Sequence, residues 1–101
     1  MKLIEHYVGG KIFPGNSDNK GKVFNPATGE QEKEVRLASK SDLSQAVEIA
    51  KKAFEKWSIK PSLQRARIMF KFKDLIEKNS KELTELIVSE HGKVYEDAKG
   101  S

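Results

Sequence analysis

The apolar residues of this chain change their period once, at Leu37, and that change limits the folds open to it. Before Leu37, short β-prone runs are separated by Gly, Pro, Asn and Ser. After it, apolar residues recur at helical spacing. The reading is an α/β segment, with strand pairs at about 6–37 followed by amphipathic helices.

In the first part, His6-Tyr7-Val8 and Lys11-Ile12-Phe13 flank Gly9-Gly10, a pair able to take the positive φ angles of a tight hairpin turn. Pro14 to Gly21 has the composition of a loop, and Lys22-Val23-Phe24 begins another extended run. Asn25-Pro26-Ala27-Thr28-Gly29 is the next turn: Pro26 fixes φ, and Gly29 can close the turn in the left-handed region. Glu30 to Leu37 then pairs back as a strand, placed at a sheet edge by its charges.

The helices are expected at about 40–57, 62–78, 80–91 and 94–101. Ser39 caps the first together with Asp42, and Leu43, Ala46, Val47, Ala50, Phe54 and Trp57 form its apolar stripe. Pro61 breaks the pattern, and the second helix carries Leu63, Ala66, Met69, Phe70, Leu75 and Ile76 on a broad face. Asn79 with Glu82 three residues later is the reciprocal cap pattern of a third helix, which Gly92 ends. A fourth helix starts near Val94.

Composition narrows the function. Apolar residues make up 37% of the chain and charged residues 34%, which suits a piece whose core is completed elsewhere. The net charge of +4 is spread evenly with acids interspersed, so no basic block marks a nucleic-acid surface. Cysteine is absent, which removes disulfides and thiolate chemistry. No apolar run is long enough for a signal peptide or a bilayer span, and the expectation is a cytoplasmic protein without membrane contact.

Two histidines and no cysteine assemble no zinc site, Cys-His pair or Ser-His-Asp triad. His91 ends a helix, where the dipole favours an imidazole regardless of any role. Gly9-Gly10 lacks the third glycine and following helix of a dinucleotide loop. Phe54 and Trp57 are read as core rather than as a stacking platform. Arg65, Arg67, Lys71 and Lys73 share one helix, which keeps a small basic, non-catalytic binding module as the alternative.

The order of these elements carries a resemblance. Val23-Phe24-Asn25-Pro26-Ala27-Thr28-Gly29-Glu30, the charged strand, the Leu37-Ala38-Ser39-Lys40 cap, Ala53-Phe54-Glu55-Lys56-Trp57, Arg65 to Phe72, and Glu90-His91-Gly92-Lys93 follow one another as in the aldehyde dehydrogenases. The chain resembles the N-terminal, incomplete part of their NAD-binding domain over essentially its whole length. Within the superfamily, the stretch Arg65 to Phe72 and the ending Asp97-Ala98-Lys99-Gly100 look most like the bacterial CoA-acylating methylmalonate-semialdehyde dehydrogenases. An aldehyde dehydrogenase of another substrate class is the neighbouring possibility.

The resemblance implies a complete enzyme in which a cysteine attacks an aldehyde, hydride passes to NAD, and coenzyme A takes the acyl group. For methylmalonate or malonate semialdehyde, loss of carbon dioxide leads to propionyl-CoA or acetyl-CoA. The nucleophile, the glutamate base, the oxyanion-stabilising asparagine and the pyrophosphate loop lie beyond Ser101 in relatives, so this fragment alone is expected to be inactive. Its partners are then the remainder of the parent chain and, in the complete enzyme, a small aldehyde and further subunits of a homo-oligomer.

One site carries over. Backbone carbonyls at Val23 and Phe24 with the carboxylate of Glu90 match positions that hold a monovalent cation in some relatives, and such oxygen ligands suit a hard cation. At the other end, Ser101 replaces the acidic residue that often follows this glycine. The expectation is a chain of marginal stability in isolation.

Overall fold

Ser39 starts the longest helix by a reciprocal bond. Its hydroxyl accepts from the Asp42 backbone N–H at 3.1 Å, and the Asp42 carboxylate accepts from the Ser39 backbone N–H at 2.9 Å. Two donors that helix geometry leaves unpaired are thereby satisfied. The computed structural model describes residues 2–101, in two units: residues up to Val23 with Gln31–Ile59, and Phe24–Glu30 with Lys60–Ser101.

The first unit contains strands β1 (Lys2–Ile4), β2 (His6–Val8), β3 (Lys11–Phe13), β4 (Lys20–Phe24, whose last residue falls in the second unit) and β5 (Gln31–Arg36), followed by helix α1 (Lys40–Trp57). β2 and β3 form the antiparallel hairpin, His6 opposite Phe13 and Val8 opposite Lys11. Gly9 and Gly10 take φ of 65° and 77°, the pair of left-handed residues that a two-residue loop requires. β4 and β5 are neighbours in a second sheet of order β1-β5-β4. Backbone bonds from Asn25 N–H to Glu30 O and from Leu37 N–H to Asn19 O close the two ends of this pair and make it antiparallel.

The strands depart from the sequence reading in three places. β4 begins at Lys20, two residues before the extended run proposed at Lys22. β1 was not anticipated; it pairs in parallel with β5, Leu3 opposite Glu34 and Ile4 opposite Val35. β5 is consequently the middle strand of its sheet and not an edge. Its charged residues mislead because only one face of a short sheet needs to be apolar, and the half-buried Val35 beside Ile4 supplies that.

The second unit holds the turn Phe24–Glu30 and three helices: α2 (Ser62–Lys78), α3 (Ser80–His91) and α4 (Tyr95–Lys99). Asn79 alone separates α2 from α3 and is the C-cap of one and the N-cap of the other. The capping box expected there does not form. Asn79 Nδ2 instead donates to the Leu75 carbonyl at 2.7 Å, because with a single linking residue the side chain is taken by the end of α2 before it can serve the start of α3. Gly92 closes α3 at φ 79°, its N–H bonded to the Val88 carbonyl. α4 is shorter than expected, ending at Lys99.

Among the described residues, Ala98 is the one buried apolar side chain; Asp42 and Thr84 are buried too. Thr84 is satisfied by donating to the Ser80 carbonyl at 2.7 Å. The stripes read as core are therefore open. Phe54 is 64% exposed on α1 and Phe70 65% exposed on α2.

Candidate functional site

The turn after β4 is built from four local bonds. Asn25 Oδ1 accepts from the Ala27 N–H at 2.9 Å, Thr28 Oγ1 from the Glu30 N–H at 3.2 Å, and the Asn25 carbonyl from the Gly29 N–H at 2.8 Å. The fourth is the Asn25 to Glu30 backbone bond at 2.9 Å. Asx and hydroxyl turns of this kind fix a loop without secondary structure. Pro26 then lies against the C-terminal end of α3: a β-carbon at Gly92 would stand 2.9 Å from Pro26 Cγ. Beside this contact, Asn25, Ala27, Glu85, Val88, Ser89 and Tyr95 line a cavity of about 240 Å³.

Phe24 and Glu90, two of the three residues expected to bind a cation, belong to this unit. Each stands two residues before a member of the Pro26/Gly92 contact. Val23 belongs to the first unit, on β4. Glu90 is exposed in the last turn of α3, at the negative end of the helix dipole. Among the described residues no cluster of three or more His, Asp or Glu side chains is arranged to hold a metal ion.

A second polar assembly ties the loop after β3 to α1. Asp42 Oδ1 accepts from the Asn16 backbone N–H at 3.0 Å while its Oδ2 serves Ser39. Ser39 Oγ donates to Asn16 Oδ1 at 2.6 Å, and Asn16 Nδ2 donates to Ser41 Oγ at 2.9 Å. The Asp42 carboxyl is held below its ordinary value, chiefly by the Ser39 backbone N–H; burial opposes this, and the Ser39 side chain, the Asn16 N–H and the charge of His6 add to the lowering. Both oxygens accept backbone N–H bonds. The group is therefore an ionised structural acceptor and not a general base. Gly15 is required beside it, because a β-carbon there would meet Asp42 Oδ2 at 2.5 Å. The cap was legible in the sequence, but Asn16 and Gly15 were not; a Gly-Asn-Ser run gives no sign of which distant carboxylate it will meet.

His6 and Asp42 also line a cavity of about 210 Å³ with Phe13 and Leu43, and the His6 ring stands 6.3 Å from that of Phe13. His6 Nε2 is buried without a hydrogen-bond partner. On α2, Lys73 pairs with Glu77 at 3.0 Å, and Arg65 donates to the Lys60 carbonyl and Ser62 Oγ, so part of the basic face is engaged locally.

The fold and the Asn-Pro turn seated on a Gly-terminated helix belong to a defined class. Residues 13–101 match the aldehyde dehydrogenase family, and the chain belongs to that family. It is similar to malonate-semialdehyde dehydrogenase 1 of Geobacillus kaustophilus, with 43% identity over 98 residues that make up 97% of this chain and 20% of that protein. Among solved structures it is similar to one from Sinorhizobium meliloti, assigned as a methylmalonate-semialdehyde dehydrogenase and complexed with NAD. The TM-score is 0.95 and the identity 45%, over 99% of this chain and 20% of the other. It is also similar to the methylmalonate-semialdehyde dehydrogenase of Oceanimonas doudoroffii, at TM-score 0.93 and 43% identity over the same shares. The chain thus spans about a fifth of the length of these relatives and matches their N-terminal part.

Proposed function

We propose that this chain is the N-terminal scaffold of an NAD-dependent, CoA-acylating dehydrogenase of malonate or methylmalonate semialdehyde, acting in the cytoplasm as a homo-oligomer when complete. The observation that carries the reading is the likeness, at above 40% identity, to relatives named for those two aldehydes. Family chemistry needs a cysteine thiolate, and none of the 101 residues is cysteine, so the reacting groups belong to the rest of the enzyme.

The described residues do not fit a dinucleotide either. The one Gly-Gly pair closes a hairpin and is followed by a strand, whereas a pyrophosphate loop needs a helix N-terminus at that point. The proposal therefore assigns the binding of NAD and coenzyme A to the rest of the complete enzyme, as the family resemblance implies. What this chain supplies is position: capped helices and a turn fixed against α3. Val23 and Phe24 carbonyls with Glu90 are further proposed as monovalent-cation ligands, Val23 on the sequence resemblance alone. The placement of Glu90 at a helix C-terminus, where carbonyls are left without intrahelical partners, favours a cation.

The test is turnover by the complete enzyme. Malonate or methylmalonate semialdehyde with NAD should give acetyl-CoA or propionyl-CoA only when coenzyme A is present. Release of the free acid at the same rate without coenzyme A would overturn the acylating reading. For the cation, exchanging potassium and sodium for choline should lower the melting temperature of the complete enzyme, and Glu90→Gln should remove that dependence; an unchanged melting temperature would refute the site.

A further inference from the structure

The cavity beside the Asn-Pro turn has a one-sided polar chemistry. All of its lining residues belong to the second unit. Glu85, Val88 and Ser89 stand three and four residues apart on α3 and therefore share one face of it. The turn contributes Asn25 and Ala27, and α4 contributes its first residue, Tyr95.

The hydrogen bonds already made decide what the polar atoms have left to offer. Ser89 Oγ donates its one proton to the Leu86 carbonyl at 2.8 Å, which leaves only its lone pairs. Asn25 Oδ1, held by the Ala27 N–H at 2.9 Å, is likewise an acceptor. The Glu85 carboxylate accepts only, and among the described residues no Lys, Arg or His side chain pairs with it. Ser89 also lies in the last turn of α3, at the negative end of the helix dipole. Half-buried Val88 and the ring of Tyr95 add an apolar wall and an aromatic face.

This set of groups selects its ligand by charge and by shape. An anion would meet a carboxylate and a dipole end of its own sign. A neutral apolar molecule would strip water from Glu85 and Ser89 and return no hydrogen bond. A compact ammonium group brings three donors to these acceptors, and its alkyl stem can lie along Val88 and Tyr95. The cavity volume, about 240 Å³, falls below the roughly 300–1,000 Å³ of drug-sized sites, so the ligand is small.

We propose that this cavity binds a primary ammonium group on a short alkyl stem, the chemistry shared by small free amines and by a lysine side chain. Glu85 and Ser89 Oγ accept from the ammonium, and Tyr95 covers the stem. None of Val23, Phe24 and Glu90 lines the cavity, so the inference is independent of the cation and substrate readings above.

The experiment titrates propylammonium chloride into the chain in exchange for sodium chloride, at constant ionic strength. Binding is read from the relaxation of the ligand's own NMR signals and from the amide resonances of the chain. The expected result is saturation in the millimolar range, with shifts centred on Ala27, Val88, Ser89 and Tyr95. Glu85→Gln should weaken binding about tenfold or more, and Tyr95→Leu about threefold. Glu48→Gln, on α1 in the first unit, should leave it unchanged. Tetramethylammonium, with the same charge and no N–H, should bind about tenfold more weakly or worse. Nα-acetyllysine methylamide distinguishes the two sources: binding at least as tight as that of propylammonium identifies a lysine side chain as the occupant, and weaker binding identifies a free amine.

Three results would overturn the proposal: ligand relaxation that does not saturate, tetramethylammonium binding as well as propylammonium, or a Glu85→Gln chain of unchanged helical circular dichroism that binds as the parent does.

Discussion

Pro26 and Gly92 lie far apart in the sequence and touch in the second unit, so closely that a β-carbon at position 92 would come within 2.9 Å of Pro26 Cγ. Gly92 also sits at φ 79°. Two costs therefore fall on Gly92→Ala: about 1 kcal/mol or more for a non-glycine residue in the left-handed region, and the displacement of a rigid proline ring. Together they should lower the opening free energy at the end of α3 by about 2 kcal/mol, or about thirtyfold in amide-exchange protection around Val88 to Gly92. Pro26→Ala in the same background should restore only the contact share. Equal protection in Gly92→Ala and the parent chain would show that the approach is not a constraint.

Asp42 predicts a response to acid. A carboxyl lowered in the folded state contributes stability that is fully present above its ordinary value of 3.8 and is lost as pH falls through the lower native value. The first turn of α1 and the loop at Asn16 should therefore lose exchange protection together on acidification below about pH 4. Asp42→Asn should abolish that dependence and weaken both segments at neutral pH, because an amide oxygen cannot replace two carboxylate acceptors. Gly15→Ala should mimic the loss by displacing the carboxylate. Loosening of α1 without Asn16 would show that the two are not joined through this group.

Asn79 distinguishes the structure from the sequence pattern. Its amide bonds to the Leu75 carbonyl at 2.7 Å and no side-chain cap forms on α3. Asn79→Ala should cost about 0.5–1.5 kcal/mol, read as lost protection at the end of α2. Glu82→Ala should cost no more than the few tenths of a kcal/mol of a first-turn carboxylate. If Glu82→Ala loosens α3 as much as Asn79→Ala loosens α2, the capping box is formed in solution after all.

What the sequence showed and what it hid divide along one physical line. Signals that act within a few residues were legible: the Gly9-Gly10 turn, the Ser39/Asp42 cap, the break at Pro61 and the stop at Gly92. Decisions made by distant partners were not. β1 is three residues long and gains its strand character only by pairing with β5, thirty-one positions on at Lys2 and Lys33. The charges of β5 pointed to an edge because nothing local announces that pairing. Likewise Pro26 and Gly92 were each readable as turn and cap, while their contact was not.

The exposed apolar faces bear on how this chain melts. Cooperative unfolding needs many buried side chains released at once, and among the described residues Ala98 is the one apolar side chain fully withdrawn from water. Helix caps and turns survive without such a core, so the chain should retain helical circular dichroism yet unfold gradually. Calorimetry should record far less than the roughly 60–80 kcal/mol typical of a cooperative domain of 100 residues. Hydrophobic dyes should bind at ambient temperature, because Leu43, Val47, Phe54 and Phe70 already face solvent. A sharp transition with full enthalpy would mean that these faces are covered in the isolated chain, and covering by a second copy would then reveal itself as a melting temperature that rises with concentration.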